Sequence, residues 1–154
     1  MAWFRIDNRL VHGQVIEGWL PYLNAGHLIV VNDALASDEL QQQIMRLAIP
    51  GRVWVSFVPV NLAKPIYDKL EGERRSSLFL LATCQDGVRL VEQGVTIPLL
   101  NVGNMHYAHG KRQLCAHVAI SDEDAACLEF FRRRGTLLDF RCVPTDIPVV
   151  EEGW

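Results

Sequence analysis

The sequence of 154 residues lacks paired cysteine motifs, long apolar runs and a large excess of charge of one sign. Its four cysteines lie far apart without a Cys-x-x-Cys pair, and no charged-then-apolar signal peptide is recognisable, so we expect free thiols in a reducing cytoplasm. The longest fully apolar runs, such as 28–31 and 78–82, are far shorter than the roughly 20 residues that cross a bilayer as a helix. We therefore expect that this chain alone is not a transporter.

The charge balance disfavours two classes of partner. Fifteen lysines and arginines stand against eighteen aspartates and glutamates, which gives a net charge of -3. Such a chain has no global field that would attract nucleic acid or an anionic membrane surface. A hydrophobic content of 49% with 21% charged residues, no internal repeat and no linker predicts one ordinary globular domain.

Short apolar runs alternate with amphipathic stretches along the whole chain. This alternation predicts an α/β fold of three layers, an open and mostly parallel sheet with helices on both faces. The predicted strands are 3–6, 28–32, 53–58, 78–82, 98–102, 117–120 and 137–143, and the predicted helices are 14–22, 38–48, 62–70, 86–93 and 122–134.

Two of the predicted helices carry clear sequence signals. In the helix 38–48, Ser37 or Asp38 is a candidate N-cap, and apolar residues recur near the helical period, so we expect this stripe to face the core. Ser121 and Asp124 have the spacing of a capping box at the start of the helix 122–134, and Gly135 follows its end.

The loop after the first predicted strand is the richest in chemistry. Residues 5–15 place His12 directly before Gly13 and a helix that starts near Gln14. A helix N-terminus favours an anion, and Arg9 adds a planar donor fork that matches phosphate oxygens. Arg5 could bind phosphate in the same way.

The residue types in this loop leave alternatives open. Arg5 could instead pair with Asp7, and Asp7 could orient His12 and so decide which ring nitrogen is the free nucleophile. A purely structural turn with ordinary ion pairs fits the same residues. No usual zinc spacing is present among His106, His109, Cys115 and His117, so we expect no metal site.

Other strand ends supply candidates for the rim of a site. Asn32 and Asp33 follow the second predicted strand and Thr83 follows the fourth, which places them at the same edge of a parallel sheet as the first loop. Turn formation and helix capping are the alternative roles for these residues.

The loop 5–15 resembles the phosphohistidine loop, RIDxRLxHGQV, of IIB components of the mannose/fructose/sorbose family of the bacterial phosphoenolpyruvate-dependent sugar phosphotransferase system. Further segments recur in the order and approximate spacing of that family, so the resemblance covers nearly the whole chain. These segments are 29–33, Ala36 with Asp38, Ala48 with Pro50, and 101–106 with Gly110.

The resemblance implies a single IIB domain over 1–154 that acts as a phosphotransferase component. A IIA protein would phosphorylate His12 on Nδ1, and His12 would pass the group to a sugar presented by a membrane IIC/IID complex. Arg9 and Asp7 would assist at the phosphohistidine, Arg5, Gly13 and Gln14 would bind the phosphate, and His106 would lie at the rim.

The same resemblance implies that no cofactor is needed and that the protein is cytoplasmic, reaching the inner membrane only through IIC/IID. The alternative is a regulatory phosphoprotein of an incomplete phosphotransferase system, which would signal nutrient status by binding without sugar transport.

Two residues of this sequence differ from those usual at the same positions of the family pattern. Asn8 stands where a second aspartate is often found, which removes a negative charge beside the phosphate. Asn104 stands where the second glycine of an Asn-Val-Gly-Gly segment is usual, which places a side chain where glycine permits unusual dihedral angles.

Overall fold

A parallel sheet of six strands forms the centre of the protein in a computed structural model that describes residues 1–148. The strands of this sheet are β1 (Ala2–Asp7), β2 (Ala25–Val31), β3 (Trp54–Val58), β4 (Ser76–Leu81), β5 (Leu99–Asn104) and β8 (Leu137–Asp139). Their order across the sheet is β3-β2-β4-β1-β5-β8, and every neighbouring pair is parallel. The predicted three-layer α/β fold with a mostly parallel sheet is confirmed.

Helices connect these strands and cover both faces of the sheet. They are α1 (Leu20–Tyr22), which continues a π-helical segment (Gln14–Trp19), α2 (Asp33–Ala36), α3 (Glu39–Ala48), α4 (Ala63–Leu70) after a 3₁₀ turn (Val60–Leu62), α5 (Cys84–Glu92) and α6 (Asp122–Arg133). No helix within residues 1–148 is long and apolar enough to cross a membrane. The last six residues of the predicted domain, 149–154, lie outside the described residues.

Two apolar cores lie on opposite faces of the sheet. One contains Ile29, Phe79 and Leu100 and packs against α4, α5 and α6. The other contains Leu28 and Leu80 and packs against the segment that starts at Gln14 and against α2. Alternate residues of the central strands thus enter different cores, which explains their continuous apolar sequence.

The predicted strands and helices differ from the structure mainly at their ends and in small elements. The predicted strand 137–143 ends at Asp139. The strand β7 (Val118–Ile120) lies outside the main sheet and pairs antiparallel with β6 (Arg112–Cys115). Neither β6 nor the short helix α2 is among the predicted elements. Short elements lack the several periods that a pattern needs to be recognised.

The expectation that the apolar stripe of α3 faces the core is wrong. Three of its residues, Leu40, Ile44 and Leu47, are between 52% and 89% exposed, and within the stripe only Met45 packs partly against the core. The helix does begin as predicted, because the Asp38 side chain accepts a hydrogen bond from the Gln41 N–H. An amphipathic period shows that one helix face is apolar, but it does not show what covers that face.

The carboxyl ends of the adjacent strands β1 and β5 lie side by side at one end of the sheet. After β1 the chain passes to one face of the sheet, where Val15 and Trp19 are buried, whereas after β5 it leads through the β6–β7 hairpin to α6 on the other face. Such a divergence leaves a crevice at the strand ends, where open α/β sheets bind their ligands. Asp7 and Asn104 are opposite each other in this crevice.

Candidate functional site

A tight turn after β1 brings His12 back over the strand it follows. The Leu10 N–H donates to the Asp7 carbonyl at 2.9 Å, and Leu10 has a left-handed φ of 57°. This conformation costs a branched residue about 1–2 kcal/mol, and burial of the Leu10 side chain in the apolar core opposes that cost. The turn therefore depends on packing away from the site.

Asp7 is a fully buried carboxylate on which the site converges. Its Oδ2 atom accepts hydrogen bonds from His12 Nε2 at 2.6 Å, Arg5 Nη2 at 2.9 Å and Asn104 Nδ2 at 2.9 Å, while Oδ1 accepts from the Arg9 backbone N–H at 3.1 Å. Burial alone would raise the pKa of Asp7. The hydrogen bond from His12, the charge of Arg5 and the hydrogen bond from Asn104 outweigh burial and hold that pKa at about 2.

The contact with Asp7 decides which nitrogen of His12 is free. An ionised carboxylate can only accept, so the proton of the neutral ring resides on Nε2 and the Nδ1 atom keeps an unshared electron pair. The side chain is 14% exposed, so it is mostly enclosed but reachable from solvent. Of the two open roles for Asp7, the structure supports both: it orients His12 and pairs with Arg5.

Arg5 lies beneath Asp7 rather than at the surface. The residue is 1% exposed, and its guanidinium is occupied by Asp7, the Asn101 side chain and the Arg141 carbonyl oxygen. The expectation that Arg5 binds phosphate directly does not agree with this placement, because its donors are already used inside the protein. Arg5 instead supports the carboxylate that orients His12.

Gln14 forms a second convergence point beside the first. Its Oε1 atom accepts from Arg9 Nη2 at 2.8 Å, Asn104 Nδ2 at 3.2 Å and Cys142 Sγ at 3.3 Å. With the amide oxygen committed in this way, the two hydrogens on Nε2 are the part of the Gln14 amide that is left to bind another group. The Arg9 side chain is 41% exposed and extends from the site toward solvent.

Gly13 and the start of the π-helical segment complete the loop. The helix begins at Gln14, and the backbone N–H groups of Val15 and Ile16 both donate to the His12 carbonyl oxygen at 3.0 Å. A side chain at Gly13 would have no atom within 4 Å, so the space beside this residue is open. π-helical turns are rare and are frequently found at functional sites.

A cavity of about 380 Å³ adjoins the loop. Its lining includes Arg9, Gln14, Asn104, His106 and His117, and among residues 1–148 no carboxylate contributes to it. His106 thus lies beside the loop, and it also borders a smaller cavity with Thr83 and Asn8.

Asn32, Asp33 and Thr83 all have structural partners at their strand ends. Asn32 and Thr83 accept hydrogen bonds that cap α2 and α5, respectively. Asp33 accepts from the Val60 N–H at 2.8 Å and forms an ion pair with Arg89 at 2.9 Å, and these contacts lower its pKa. For these three residues, the capping and turn roles therefore have direct structural support.

Sequence reasoning missed the contributions of Asn104, Gly103 and Cys142. Asn104 was treated as a change in loop shape, yet its φ is not positive and its side chain joins Asp7 to Gln14. Gly103 leaves room for the Arg5 guanidinium, and Cys142 comes from the C-terminal segment. Only the segment 101–106 carried a signal in the sequence, through its resemblance to the family pattern.

A family model described as the sorbose subfamily IIB component of the phosphotransferase system matches residues 1–151. The chain belongs to this family. The IIB components of the sorbose subfamily are phosphotransferase components, and membership implies a phosphoryl carrier in sugar transport.

Individual relatives of this IIB component agree with the family match. The N-acetylgalactosamine-specific phosphotransferase enzyme IIB component 1 of Escherichia coli K12 is 35% identical over 144 residues, which cover 92% of this chain and 90% of the relative. The crystal structure of the N-acetylgalactosamine-specific IIB component 1 from Escherichia coli has a TM-score of 0.89 at 33% identity and covers 96% of this chain and 97% of its own. The mannose-specific EIIAB component of Escherichia coli K12 is 37% identical over 92% of this chain and 44% of its own length.

Proposed function

We propose that His12 carries the phosphoryl group on Nδ1, accepting it from the phosphohistidine of a IIA protein and passing it to a sugar presented by a IIC/IID membrane complex. The hydrogen bond between His12 Nε2 and Asp7 carries this proposal, because it leaves Nδ1 as the nucleophile. Membership of the IIB family supports the direction of the relay.

The first transfer exchanges one nitrogen–phosphorus bond for another. The electron pair on Nδ1 of His12 attacks phosphorus, and the bond from phosphorus to the donor's imidazole breaks with its electrons returning to that ring. The His12 ring becomes a cation that keeps its proton on Nε2, facing the ionised Asp7 at 2.6 Å. Asp7 thus stabilises positive charge as it develops, without taking the proton.

Three residues around His12 would accommodate the phosphoryl group. Arg9 is partly exposed and provides an always-charged planar fork, and Gln14 provides the hydrogens of its Nε2. Gly13 leaves open space for the group to approach the start of the helix. Phosphoryl transfer depends mainly on such positioning and charge stabilisation, so this site needs no cofactor.

In the second transfer, a sugar hydroxyl oxygen attacks phosphorus. The bond to Nδ1 breaks, its electron pair returns to the His12 ring, and the hydroxyl proton passes to solvent. The mannose-specific EIIAB relative supports a IIA protein as donor, since its name combines A and B components in one chain. A cytoplasmic location, with contact to the membrane through IIC/IID, follows from this role.

The proposal is tested by phosphorylating the protein with phosphoenolpyruvate, the general phosphotransferase proteins and a cognate IIA. We expect one acid-labile, alkali-stable phosphate per chain, a ³¹P NMR signal typical of Nδ1-phosphohistidine, and no labelling of His12→Gln. His109→Gln, a change at an exposed histidine, is the matched control and should be labelled normally. Full labelling of His12→Gln, or phosphate on Nε2, would contradict the assignment.

Delivery to sugar is tested with membrane vesicles that contain the IIC/IID complex. We expect the label to leave His12 only when vesicles and sugar are both present, and to appear as sugar phosphate. A phosphorylated protein that binds a regulatory partner but never loses its label to sugar would favour the signalling alternative.

A further inference from the structure

We propose that Asn104 is a positioning residue, which holds the His12–Asp7 pair and the phosphate-binding Gln14 in one fixed arrangement. This inference rests on the proposed role of His12. It concerns a residue that does not itself touch the reacting atoms.

The Asn104 amide joins the two convergence points of the site. It is the last residue of β5, is 5% exposed, and its backbone carbonyl accepts from the Asn8 N–H at 3.2 Å. The Nδ2 group donates to Asp7 Oδ2 at 2.9 Å and to Gln14 Oε1 at 3.2 Å. Both hydrogens of the amide are therefore used, each on one side of the site.

The surroundings favour this orientation of the amide over the reverse. The Oδ1 atom lies 3.8 Å from Cys142 Sγ, whose single hydrogen also has Gln14 Oε1 within reach at 3.3 Å. Rotation by 180° would place Oδ1 against the Asp7 carboxylate and the Gln14 carbonyl oxygen, and both are acceptors. Because the strand holds the Asn104 backbone, the side chain donates at a fixed place.

The two hydrogen bonds have different consequences for the reaction. The bond to Asp7 helps to keep the carboxylate ionised and its Oδ2 aligned with His12 Nε2, so the free electron pair stays on Nδ1. The bond to Gln14 holds the Oε1 atom that also receives Arg9, which leaves the Gln14 Nε2 hydrogens for phosphoryl oxygens. Asn104 thus links the orientation of the nucleophile to the orientation of the phosphate-binding groups.

The test compares Asn104→Ala and Asn104→Asp with the wild type and with Asn61→Ala, which changes an exposed asparagine outside the site. The first replacement removes the donor, whereas the second keeps the shape of the side chain but replaces the donor by an acceptor. Three readouts are measured on each protein: the His12 tautomer by ¹⁵N NMR, the pKa of Asp7 by ¹³C NMR, and the rate of phosphorylation by IIA.

We expect both Asn104 variants to be phosphorylated about tenfold more slowly or worse, as for loss of one hydrogen bond to a charged group. They should also show a raised pKa of Asp7 and a detectable fraction of the Nδ1–H tautomer of His12, while Asn61→Ala matches the wild type. Slow phosphorylation with an unchanged tautomer and unchanged Asp7 titration would indicate a structural role alone and overturn the proposal, as would wild-type rates in both variants.

The tautomer and the Asp7 titration are measured without any phosphate. They therefore report on Asn104 even if His12 proves not to be the phosphorylated residue. Labelling of His12→Gln would overturn the proposed function, whereas an unperturbed tautomer in the Asn104 variants would overturn only this inference.

Discussion

Gly103 lies directly against the guanidinium of Arg5, so that a methyl group on Gly103 would overlap the Arg5 side chain. The two residues are on adjacent strands, β5 and β1, below the carboxylate that orients His12. The buried Arg5–Asp7 ion pair therefore depends on the absence of a side chain one strand away. This arrangement connects an ordinary packing constraint to the chemistry of the site.

Gly103→Ala should destabilise the protein by about 1–3 kcal/mol, because overpacking displaces a buried side chain. The same displacement should slow phosphorylation of His12, since Arg5 no longer supports Asp7. Urea unfolding and the IIA-dependent phosphorylation rate measure the two effects. Gly51→Ala is the matched control, because a side chain at Gly51 meets nothing within 4 Å. Equal stability and rate in the two variants would contradict the packing argument.

Asp7→Asn should lower the free energy of unfolding and should also change how that free energy depends on pH. The pKa of Asp7 is about 2 in the folded protein against an ordinary 3.8, so its ionisation stabilises the fold above about pH 4, and this contribution is lost as pH falls through about 2. The contribution corresponds to about 2 kcal/mol. Near neutral pH, the replacement also leaves Arg5 without its counter-charge, a loss of about 3–5 kcal/mol.

Urea unfolding of the wild type and Asp7→Asn between pH 7 and pH 2 measures both parts of this prediction. The difference in free energy of unfolding should shrink as the pH falls below 4, because protonation then removes the charge from the wild-type residue too. Parallel curves over the whole range would show that the pKa of Asp7 is not lowered in the folded protein.

Gly13→Ala separates folding from phosphate binding. Gly13 has an ordinary helical φ of -53° and open space beside it, so stability should change by no more than about 0.5 kcal/mol. Phosphorylation should fall about tenfold, because the methyl group occupies space that a phosphoryl group on His12 would use. Thermal unfolding and the labelling rate are the measurements. Normal labelling would mean that the phosphoryl group does not approach Gly13.

Leu47→Gln on α3 should leave stability within about 0.5 kcal/mol of the wild type, because the Leu47 side chain is 89% exposed. Leu28→Ala in β2 is the comparison, since this leucine is fully buried and its truncation should cost about 2–5 kcal/mol. Urea unfolding of both variants provides the check. A loss of more than 2 kcal/mol for Leu47→Gln would restore the expectation that the α3 stripe belongs to the core.

Much of the main sheet could be predicted because its central strands are continuous apolar runs. Residues 28–31 and 78–81 lie in strands buried on both faces, and short continuous apolar runs are typical of such strands. The capping box at Ser121 and Asp124 was equally readable, because the signal consists of neighbouring residues. The exposure of the apolar stripe of α3 could not be predicted, since burial of a helix face depends on distant parts of the chain that pack against it.

The same distinction applies to the candidate site. His12, Asp7, Arg9 and Gln14 belong to one short segment, and their spacing is visible in the sequence. The burial of Arg5 depends on Gly103 and Asn101 from another strand and on the Arg141 carbonyl oxygen. These partners are distant in the sequence, and for this reason phosphate binding by Arg5 was among the expectations. Loop geometry also depends on Leu10, whose left-handed conformation has no signal in its residue type.

The sequence by itself determined the main alternation of strands and helices and the segment that carries the proposed nucleophile. Local periodicity, caps and a contiguous motif suffice for these properties because each involves neighbouring residues, and the buried apolar runs are typical of a parallel sheet. Only the tertiary structure decided that Asp7 occupies His12 Nε2, that Arg5 supports Asp7 from below, and that Asn104 bridges Asp7 to Gln14. These contacts join residues up to 97 positions apart, and their geometry exists only once β1 and β5 lie side by side.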